Sequence, residues 1–436
     1  MTMYDIAIIG AGWAGYTAAL AAQHKGLRVC LIEERAIGGT CLNLGCIPTK
    51  ALLQSAHVLE TVGKASAFGI ADAGSAHADF AQVQARKDKL VQQLAGAMKA
   101  RLGKTDYLAG RAEFSNGRQI EVEGKKIEAR NILLCTGSRP VELADFPFDG
   151  RRILSSDHML AITEVPETLL IIGGGVIGCE FAQLFSLFGT QVTVVEITDQ
   201  LLPGMDQDAA KKLETSFKKK RIKVLLKTDA RSQDISAFEK ILVCVGRKAR
   251  LEGLEPLGVA TNARGILVDE FMQTSVPNIF AAGDCTGGFM LAHYAAYQGE
   301  LALHSIAEPD FLARQSSRAV PSCVYTSPEI ACVGLSEKEA RSHHAQVQVF
   351  TFDLVGSGMA RIMDETDGFV KIVSDAQTDR VLGAALVGPR ATELIAVLTV
   401  ALAQGLSVAD LKKVIFAHPT VSEAIAEALR SNPTRT

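Results

Sequence analysis

The sequence predicts an α/β fold: two three-layer (ββα) units followed by a separate α+β domain. Three observations predict it. A strand, a glycine-rich turn, a helix and a second strand open the chain; the same series recurs from Leu169; and beyond Ser317 short strands alternate with helices. The chain has 436 residues, too many for one core, so several domains are expected. With 48% hydrophobic residues and a net charge of -3, the composition is that of an ordinary globular protein, and nucleic-acid binding is not its main task.

The first series runs as strand Tyr4 to Ile9, turn Gly10-Ala-Gly-Trp-Ala-Gly15, helix Tyr16 to His24 and strand Leu27 to Ile32, ending at Glu33. The second runs as strand Leu169 to Ile172, turn Gly173-Gly-Gly-Val-Ile-Gly178, helix Cys179 to Phe188 and strand Gln191 to Val195, ending at Glu196. Both are Rossmann-like βαβ units, and the internal repeat is the main organisational feature. Between them, Phe80 to Arg101 predicts a long solvated scaffold helix, and Asn131 to Cys135 a strand closing into Thr136-Gly137-Ser138. Ile241 to Val245 closes similarly into Gly246-Arg247. In the last domain, strands are predicted at Phe350 to Phe352, Val370 to Val373 and Val381 to Val387, with helices at Glu337 to Ser342, Thr392 to Ala403 and Ser422 to Leu429.

Charge and apolar runs narrow the function classes. Lys218-Lys-Lys-Arg221 with Lys211 and Lys212 reads as a solvated helix face, since a nucleic-acid patch needs wider basic or aromatic support. The apolar stretch Leu394 to Leu402 is too short to span a bilayer, and the N-terminus carries Asp5 rather than a basic leader, so a cytoplasmic chain with no membrane insertion is expected. Nine cysteines show no metal-type clustering. Cys30, Cys135 and Cys244 lie in apolar runs and read as buried thiols.

Chemistry enters with the glycine turns. A Gly-x-Gly-x-x-Gly turn lets the backbone approach a pyrophosphate, the helix start offers free N–H groups, and an acid about 20 residues on accepts from ribose hydroxyls. Gly10, Gly12 and Gly15 with Glu33 meet these terms, as do Gly173, Gly175 and Gly178 with Glu196. The second site predicts NADH over NADPH: Glu196 would repel a 2′-phosphate, and Glu196 to Leu202 holds no Arg or Lys.

Gly38-Gly-Thr-Cys41-Leu-Asn-Leu-Gly-Cys46-Ile-Pro-Thr-Lys50 is the strongest single signal. Residues five apart in an ideal helix have Cα atoms roughly 8–9 Å apart, whereas a disulfide needs less than about 7 Å. The segment must therefore be distorted to bridge, and Gly45 permits that. Cys41 and Cys46 are a candidate redox couple. His418, next to a proline and five residues before Glu423, is a candidate general base, because a carboxylate orients an imidazole and raises its basicity.

This thiol motif resembles the active-site disulfide of the pyridine nucleotide–disulfide oxidoreductases. Thr274-Ser-Val-Pro-Asn-Ile-Phe-Ala-Ala-Gly-Asp284 resembles their second FAD motif, Val320 through Glu329 the opening of their dimerisation domain, and Ala417-His418-Pro-Thr-Val-Ser-Glu423 their catalytic base loop. Met290-Leu291-Ala292-His293 is most similar to the dihydrolipoamide dehydrogenase branch; no cysteine follows Cys332, which counts against branches with an extra C-terminal thiol pair.

Specific expectations come with the resemblance. Residues 1–145 and 267–316 form an FAD-binding domain, 146–266 a shortened NAD-binding domain, and 317–436 a dimerisation domain. FAD contacts fall to Gly10, Gly12, Gly15, Glu33, Thr40, Lys50, Gly110, Thr136, Gly137, Ser138, Asp284 and Met290 to His293. NAD contacts fall to Gly173, Gly175, Gly178, Glu180, Glu196 and Gly246. Cys41 exchanges with substrate, Cys46 is the charge-transfer thiolate beside the flavin, and His418 with Glu423 acts across a homodimer. The expected activity is oxidation of protein-bound dihydrolipoamide with NAD⁺ as acceptor. Its expected partners are lipoyl-bearing domains and the acyltransferase core of a 2-oxoacid dehydrogenase or glycine cleavage complex. The alternative is reduction of another small disulfide, glutathione-like or of coenzyme A; a purely structural role in a complex is a third reading. Three departures stand out: about twenty residues separate the strand near Val224 from Gly246, where relatives carry a longer meander; Lys248-Ala249-Arg250 replaces a stretch with Pro; and Phe416 stands where an extra His is common.

Overall fold

The computed structural model describes residues 3–71, 76–115, 119–308, 314–317 and 319–435; Met1, Thr2 and Thr436, which bear on the readings of the two ends, lie outside them. The chain divides into two compact units, each assembled from separated segments: 1–150, 154–164 and 245–315 in the first, and 151–153, 165–244 and 316–436 in the second.

In the first unit, strand Met3–Ile9 lies between Val29–Glu33 and Lys125–Leu134, all parallel. Asp106–Ala109 extends the sheet on one side, and Ile279–Ala281 pairs with the end of Lys125–Leu134. Ile6, Ile8, Leu31, Leu133 and Ala7 are fully buried, as expected of a parallel sheet covered on both faces. Ala112–Phe114 and Gln119–Val122 turn back antiparallel against Lys125–Leu134. Helices Trp13–His24 and Ala292–Ala307 approach backbone to backbone: a methyl group on Gly299 would stand 2.2 Å from the Ala14 carbonyl oxygen.

In the second unit, Thr168–Ile172 lies between Gln191–Val195 and Lys240–Val243, with Lys223–Leu225 outermost, again all parallel. No described residue between Leu225 and Lys240 is in a strand. Instead, Asp229 and Asp234 each accept from the backbone N–H two residues on, and the chain crosses in two short 3-10 turns. The same unit holds an antiparallel sheet in the order Ser322–Val324, Ile330–Gly334, Val381–Val387, Phe369–Asp375, Val347–Asp353 and Thr434–Arg435. Val381–Val387 is buried throughout. Helices Ala391–Ala403 and Glu423–Arg430 supply Ile395, Leu398, Ile425 and Leu429 to the core on that sheet.

Element types follow the sequence closely; helix starts do not. Helices expected at Tyr16 and Cys179 begin at Trp13 and Val176, because Gly12 and Gly175 are the N-caps and the remaining turn residues already belong to the first helical turn. The helix Phe80–Arg101 has the predicted limits and is mostly exposed, but Lys87 on it is buried and donates to the Leu160 carbonyl. Cys30, Cys135 and Cys244 are buried; burial pushes the Cys30 and Cys244 thiols up to about 12.

Candidate active site: two nucleotide cradles and a thiol pair

The two glycine turns are built alike. Gly10 and Gly173 take φ of +104° and +109°, backbone that a side chain rarely adopts. Methyl groups on Gly15 and Gly178 would collide with the Gly10 and Gly173 carbonyls at 1.9 and 2.0 Å. The middle glycines differ from these. Nothing lies within 4 Å of a methyl on Gly175, and only the Gly39 Cα, at 3.9 Å, lies near one on Gly12. Each is followed by a 12-residue helix that has no side-chain cap and no acid in its first turn. The leading N–H groups are thus left for an anion, which fits a dinucleotide pyrophosphate.

Each turn is fixed by its acid. Glu33 Oε2 accepts from Ala11 N at 2.7 Å and its Oε1 from Arg35 N at 2.8 Å. Glu196 Oε2 accepts from Gly174 N at 2.6 Å and its Oε1 from Thr198 N at 2.8 Å. Each carboxylate keeps lone pairs for ribose hydroxyls beside the middle glycine.

Around the first turn, Gly110 N donates to the Glu33 carbonyl at 2.9 Å. The Ser138 hydroxyl donates to Asp284 at 2.5 Å and accepts from Arg247 Nε at 2.8 Å. Thr136 Oγ1 donates to the Arg250 carbonyl at 2.7 Å, and the carbonyl of the next residue, Gly137, at φ +75°, accepts from Arg250 N at 3.0 Å. Arg250 itself pairs with Glu34 at 3.1 Å. Sequence reasoning missed these arginines, because their partners are distant in the chain. Met290, at φ +52°, and Leu291 lead into the helix that starts at Ala292 and includes His293. The Gly246 carbonyl accepts from Val141 N, and Gly246 belongs to the first unit, not to the unit that holds Gly173, Glu180 and Glu196.

In the second unit Glu180 is 2% exposed and accepts from Tyr325 N at 3.1 Å. One turn on, Gln183 accepts from Ser327 N at 2.7 Å, so the helix after the second turn is tied to the strand end that opens the C-terminal sheet.

The thiol segment is a broken helix. Gly39–Leu44 ends at Gly45, and Cys46 begins the 18-residue helix Cys46–Gly63, which carries Lys50. A methyl group on Gly45 would meet the Thr40 carbonyl oxygen at 3.0 Å and Cys41 Cα at 3.3 Å, so the break brings the new helix start against Cys41 and Thr40. Cys41 is hydrogen-bonded to Cys46. That bond, burial and the charge of Cys46 hold the Cys41 proton well above the ordinary thiol range. Cys46 is the first residue of its helix, where the helix dipole favours a negative sulfur. The distortion expected at Gly45 is present.

His418 Nδ1 lies 2.8 Å from Glu423 Oε1, and Glu423 Oε2 accepts from Thr420 N at 2.9 Å. The Thr420 N–H and the imidazole hold the Glu423 carboxyl below its ordinary range. The imidazole side chain is 81% exposed, and Ile415, three residues before it, is 96% exposed. Phe416 faces the C-terminal core instead. Among the described residues no His, Cys, Asp and Glu cluster suits a metal, and no helix is long and apolar enough to cross a membrane.

Comparison with known proteins agrees with this arrangement. Residues 4–299 match the family model described as pyridine nucleotide-disulphide oxidoreductase, and residues 320–429 match the dimerisation domain of the same family. Dihydrolipoyl dehydrogenase from Bacillus subtilis strain 168 is 41% identical over 451 residues, covering 98% of each chain. The protein of that name from Thermus scotoductus is 38% identical over 453 residues, covering 98% of this chain and 97% of its own. Among solved structures, LpdA from Mycobacterium tuberculosis superposes with a TM-score of 0.90 at 29% identity, covering 98% of each chain. RclA, an HOCl-induced flavoprotein disulfide reductase from Escherichia coli, superposes with a TM-score of 0.85 at 30% identity, also covering 98% of each. The chain therefore belongs to the pyridine nucleotide-disulphide oxidoreductase family, flavoenzymes that use FAD and NAD(H).

Proposed function

We propose that this chain oxidises protein-bound dihydrolipoamide to lipoamide and passes the electron pair to NAD⁺, working as a homodimer. The observation that carries the reading is the hydrogen-bonded Cys41 and Cys46 pair, packed beside the first nucleotide cradle. The dihydrolipoyl dehydrogenase relatives and the Met290 to His293 sequence support the substrate.

His418 of a second copy, held by Glu423, takes a proton from one substrate thiol. The resulting thiolate attacks Cys41 Sγ; the Cys41–Cys46 bond breaks and Cys46 leaves as thiolate. The second substrate thiol then attacks the substrate sulfur bound to Cys41, closing the lipoamide disulfide as that mixed sulfur–sulfur bond breaks, and Cys41 leaves with the proton. FAD held in the first cradle would supply the two-electron carrier between this dithiol and NAD⁺. Gly10, Gly12, Gly15, Glu33 and Asp284 would hold FAD, with Thr40, Lys50, Gly110, Thr136 to Ser138 and Met290 to His293 completing its surroundings. Gly173, Gly175, Gly178 and Glu196 would hold NAD, with Glu180 toward its nicotinamide half. The exposed loop around Ile415 suits burial against a second copy, in keeping with the dimerisation domain. The partners proposed are lipoyl-bearing domains and the acyltransferase core of a 2-oxoacid dehydrogenase or glycine cleavage complex, in the cytoplasm.

The likeness to RclA favours a second reading, NADH-driven reduction of another disulfide. Anaerobic reduction with dihydrolipoamide decides. A flavin that bleaches and then turns over with NAD⁺ supports lipoamide; one reduced by NADH but indifferent to dihydrolipoamide overturns it.

A further inference from the structure

The two glycine turns share their backbone but not the residue that follows the acid. After Glu33 stands Glu34; after Glu196 stands Ile197, which is 72% exposed. Glu34 Oε1 accepts from Arg250 Nη1 at 3.1 Å, and Arg250 comes from the opposite side of the first turn. Strand Arg247–Ala249 pairs antiparallel with Ser138–Pro140, just beyond the end of Lys125–Leu134. Arg250 N donates to the Gly137 carbonyl at 3.0 Å, its own carbonyl accepts from Thr136 Oγ1 at 2.7 Å, and its Nε donates to the Ser138 carbonyl at 3.2 Å. Its backbone and stem are thus fixed beyond Lys125–Leu134, while the guanidinium tip meets Glu34 beyond Val29–Glu33. Those two strands flank Met3–Ile9, which runs out into Gly10. Neighbouring strands lie about 4.8 Å apart, so the two anchors stand roughly 10 Å apart with the glycine turn between them. Ligands of open α/β sheets sit in the crevice outside the carboxyl ends of the strands. The Arg250–Glu34 pair crosses that crevice.

The pair is built to part and reform. Its side chains are 22% and 41% exposed. Burial and the nearby Arg35 and Arg247 charges lower the Arg250 guanidinium from its ordinary value, and Glu34 and Asp157 oppose them. Arg35 Nε also approaches Glu34 Oε1, at 3.6 Å, but from the next residue in the chain, so it spans nothing. A partly exposed ion pair is weak singly and is screened by salt.

We propose that Arg250 and Glu34 form a strap across the first cradle that retains FAD by closing over it once it is bound. The strap rests on the proposed function only in that the first cradle takes FAD and the second NAD. FAD stays through every turnover, so slow release serves it. NAD must leave after each turnover, and Ile197, at the place that Glu34 holds in the first cradle, carries no charge with which to close.

The test follows FAD leaving the intact enzyme. Holoenzyme loaded with carbon-14 FAD is chased with excess unlabelled FAD, and the protein-bound label is counted over time. Glu34→Gln removes the ion pair and leaves every other anchor of Arg250 in place. Arg250→Met removes the tip, and the Ser138 carbonyl keeps its bond from Arg247 Nη2, at 3.0 Å. Each variant is expected to lose label roughly tenfold faster, as for loss of one charge-assisted hydrogen bond, and the double variant no faster than either alone. Raising salt from 0.1 to 1 M cuts the screening length from about 10 to about 3 Å. Wild-type release is expected to quicken severalfold, and release from Glu34→Gln to change little, a response that a merely structural role would not produce. Lys248→Met removes the same charge from an exposed position on the same strand, and its release rate is expected to match wild type. Label lost at the wild-type rate from Glu34→Gln, additive effects in the double variant, or equal salt responses overturn the strap. Glu34→Gln by itself decides the matter if Arg250→Met does not fold. A wild-type chain that retains no flavin overturns the first cradle and the strap with it. Retained flavin that dihydrolipoamide cannot reduce overturns the lipoamide reading and leaves the strap in place.

Discussion

The turns Gly10 to Gly15 and Gly173 to Gly178 share backbone angles, a capless helix start and an acid 22 residues beyond the bound amide. The segments beyond the two acids separate them. After Glu33 the chain runs into the broken helix that carries Cys41 and Cys46, and Gly39 packs on Gly12. After Glu196 it folds back, with Leu202 N donating to the Gly174 carbonyl, and continues to Asp206, whose carboxylate caps helix Gln207–Lys219 and pairs with buried Lys371. The sheets differ in the same sense. The first carries an antiparallel flap from Ala112 to Leu134, whereas the second crosses from Leu225 to Lys240 in two Asx turns. One cradle design thus stands in two different surroundings, and the difference lies in what is packed against it.

Breaking the thiol pair is expected to expose this division most sharply. Cys46→Ser should lower dithiol–NAD⁺ turnover by roughly a thousandfold or more, while flavin reduction by NADH, followed by stopped-flow absorbance, persists. Retained lipoamide turnover would sink the exchange scheme.

The ion cluster of the second unit comes next. Lys371 and Asp206 are each 5% exposed at the side chain, and Lys371 also reaches Asp208 and Glu337. Lys371→Met leaves Asp206 buried without its cation, so a loss of about 3–5 kcal/mol is expected in chemical denaturation, with flavin retained in the first unit. Burial opposes the Lys371 charge, but hydrogen bonds to Asp208 and Asp206 outweigh it and raise its pKa. A raised cationic pKa means stability present in full below about pH 10.5 and lost as pH rises through the higher folded value. The wild-type advantage over Lys371→Met should therefore hold from neutral pH to about 10 and shrink beyond it.

The paired glycines sharpen the comparison further. Gly10→Ala forces a methyl to 2.2 Å from the Cys135 carbonyl oxygen at φ +104°, so loss of about 1–3 kcal/mol or more and of bound flavin is expected. Gly175→Val meets open space; the melting temperature and flavin content should hold while KM for NADH rises roughly tenfold. If Gly175→Val instead lost flavin, the division of labour between the cradles would be wrong. The smallest effect expected is from Glu196→Ala, which removes the carboxylate that repels a 2′-phosphate. The preference for NADH over NADPH, as a ratio of kcat/KM, should fall roughly tenfold.

Much of this was legible because it is local. Gly45 was expected to let the thiol helix distort, and Glu33 and Glu196 to stand at the two turns, since helix geometry and strand–turn–helix spacing act over a few residues; that each acid also binds a backbone N–H of its own turn came from the structure. Arg247, Arg250, Tyr325 and Lys371 were not legible, because each meets partners more than a hundred residues away.

By itself the sequence determined the two nucleotide cradles, the thiol pair and the His418–Glu423 couple. Each depends on short-range spacing, on glycine conformational freedom and on the periodicity of helix and strand. Only the tertiary structure decided which side chains those cradles face. The packing of Gly39 on Gly12 sets the thiol segment against the first cradle, and the strand end that opens the C-terminal sheet sets Tyr325 against Glu180. Such contacts are fixed by chain crossings and close packing, for which the linear order of residues carries no signal.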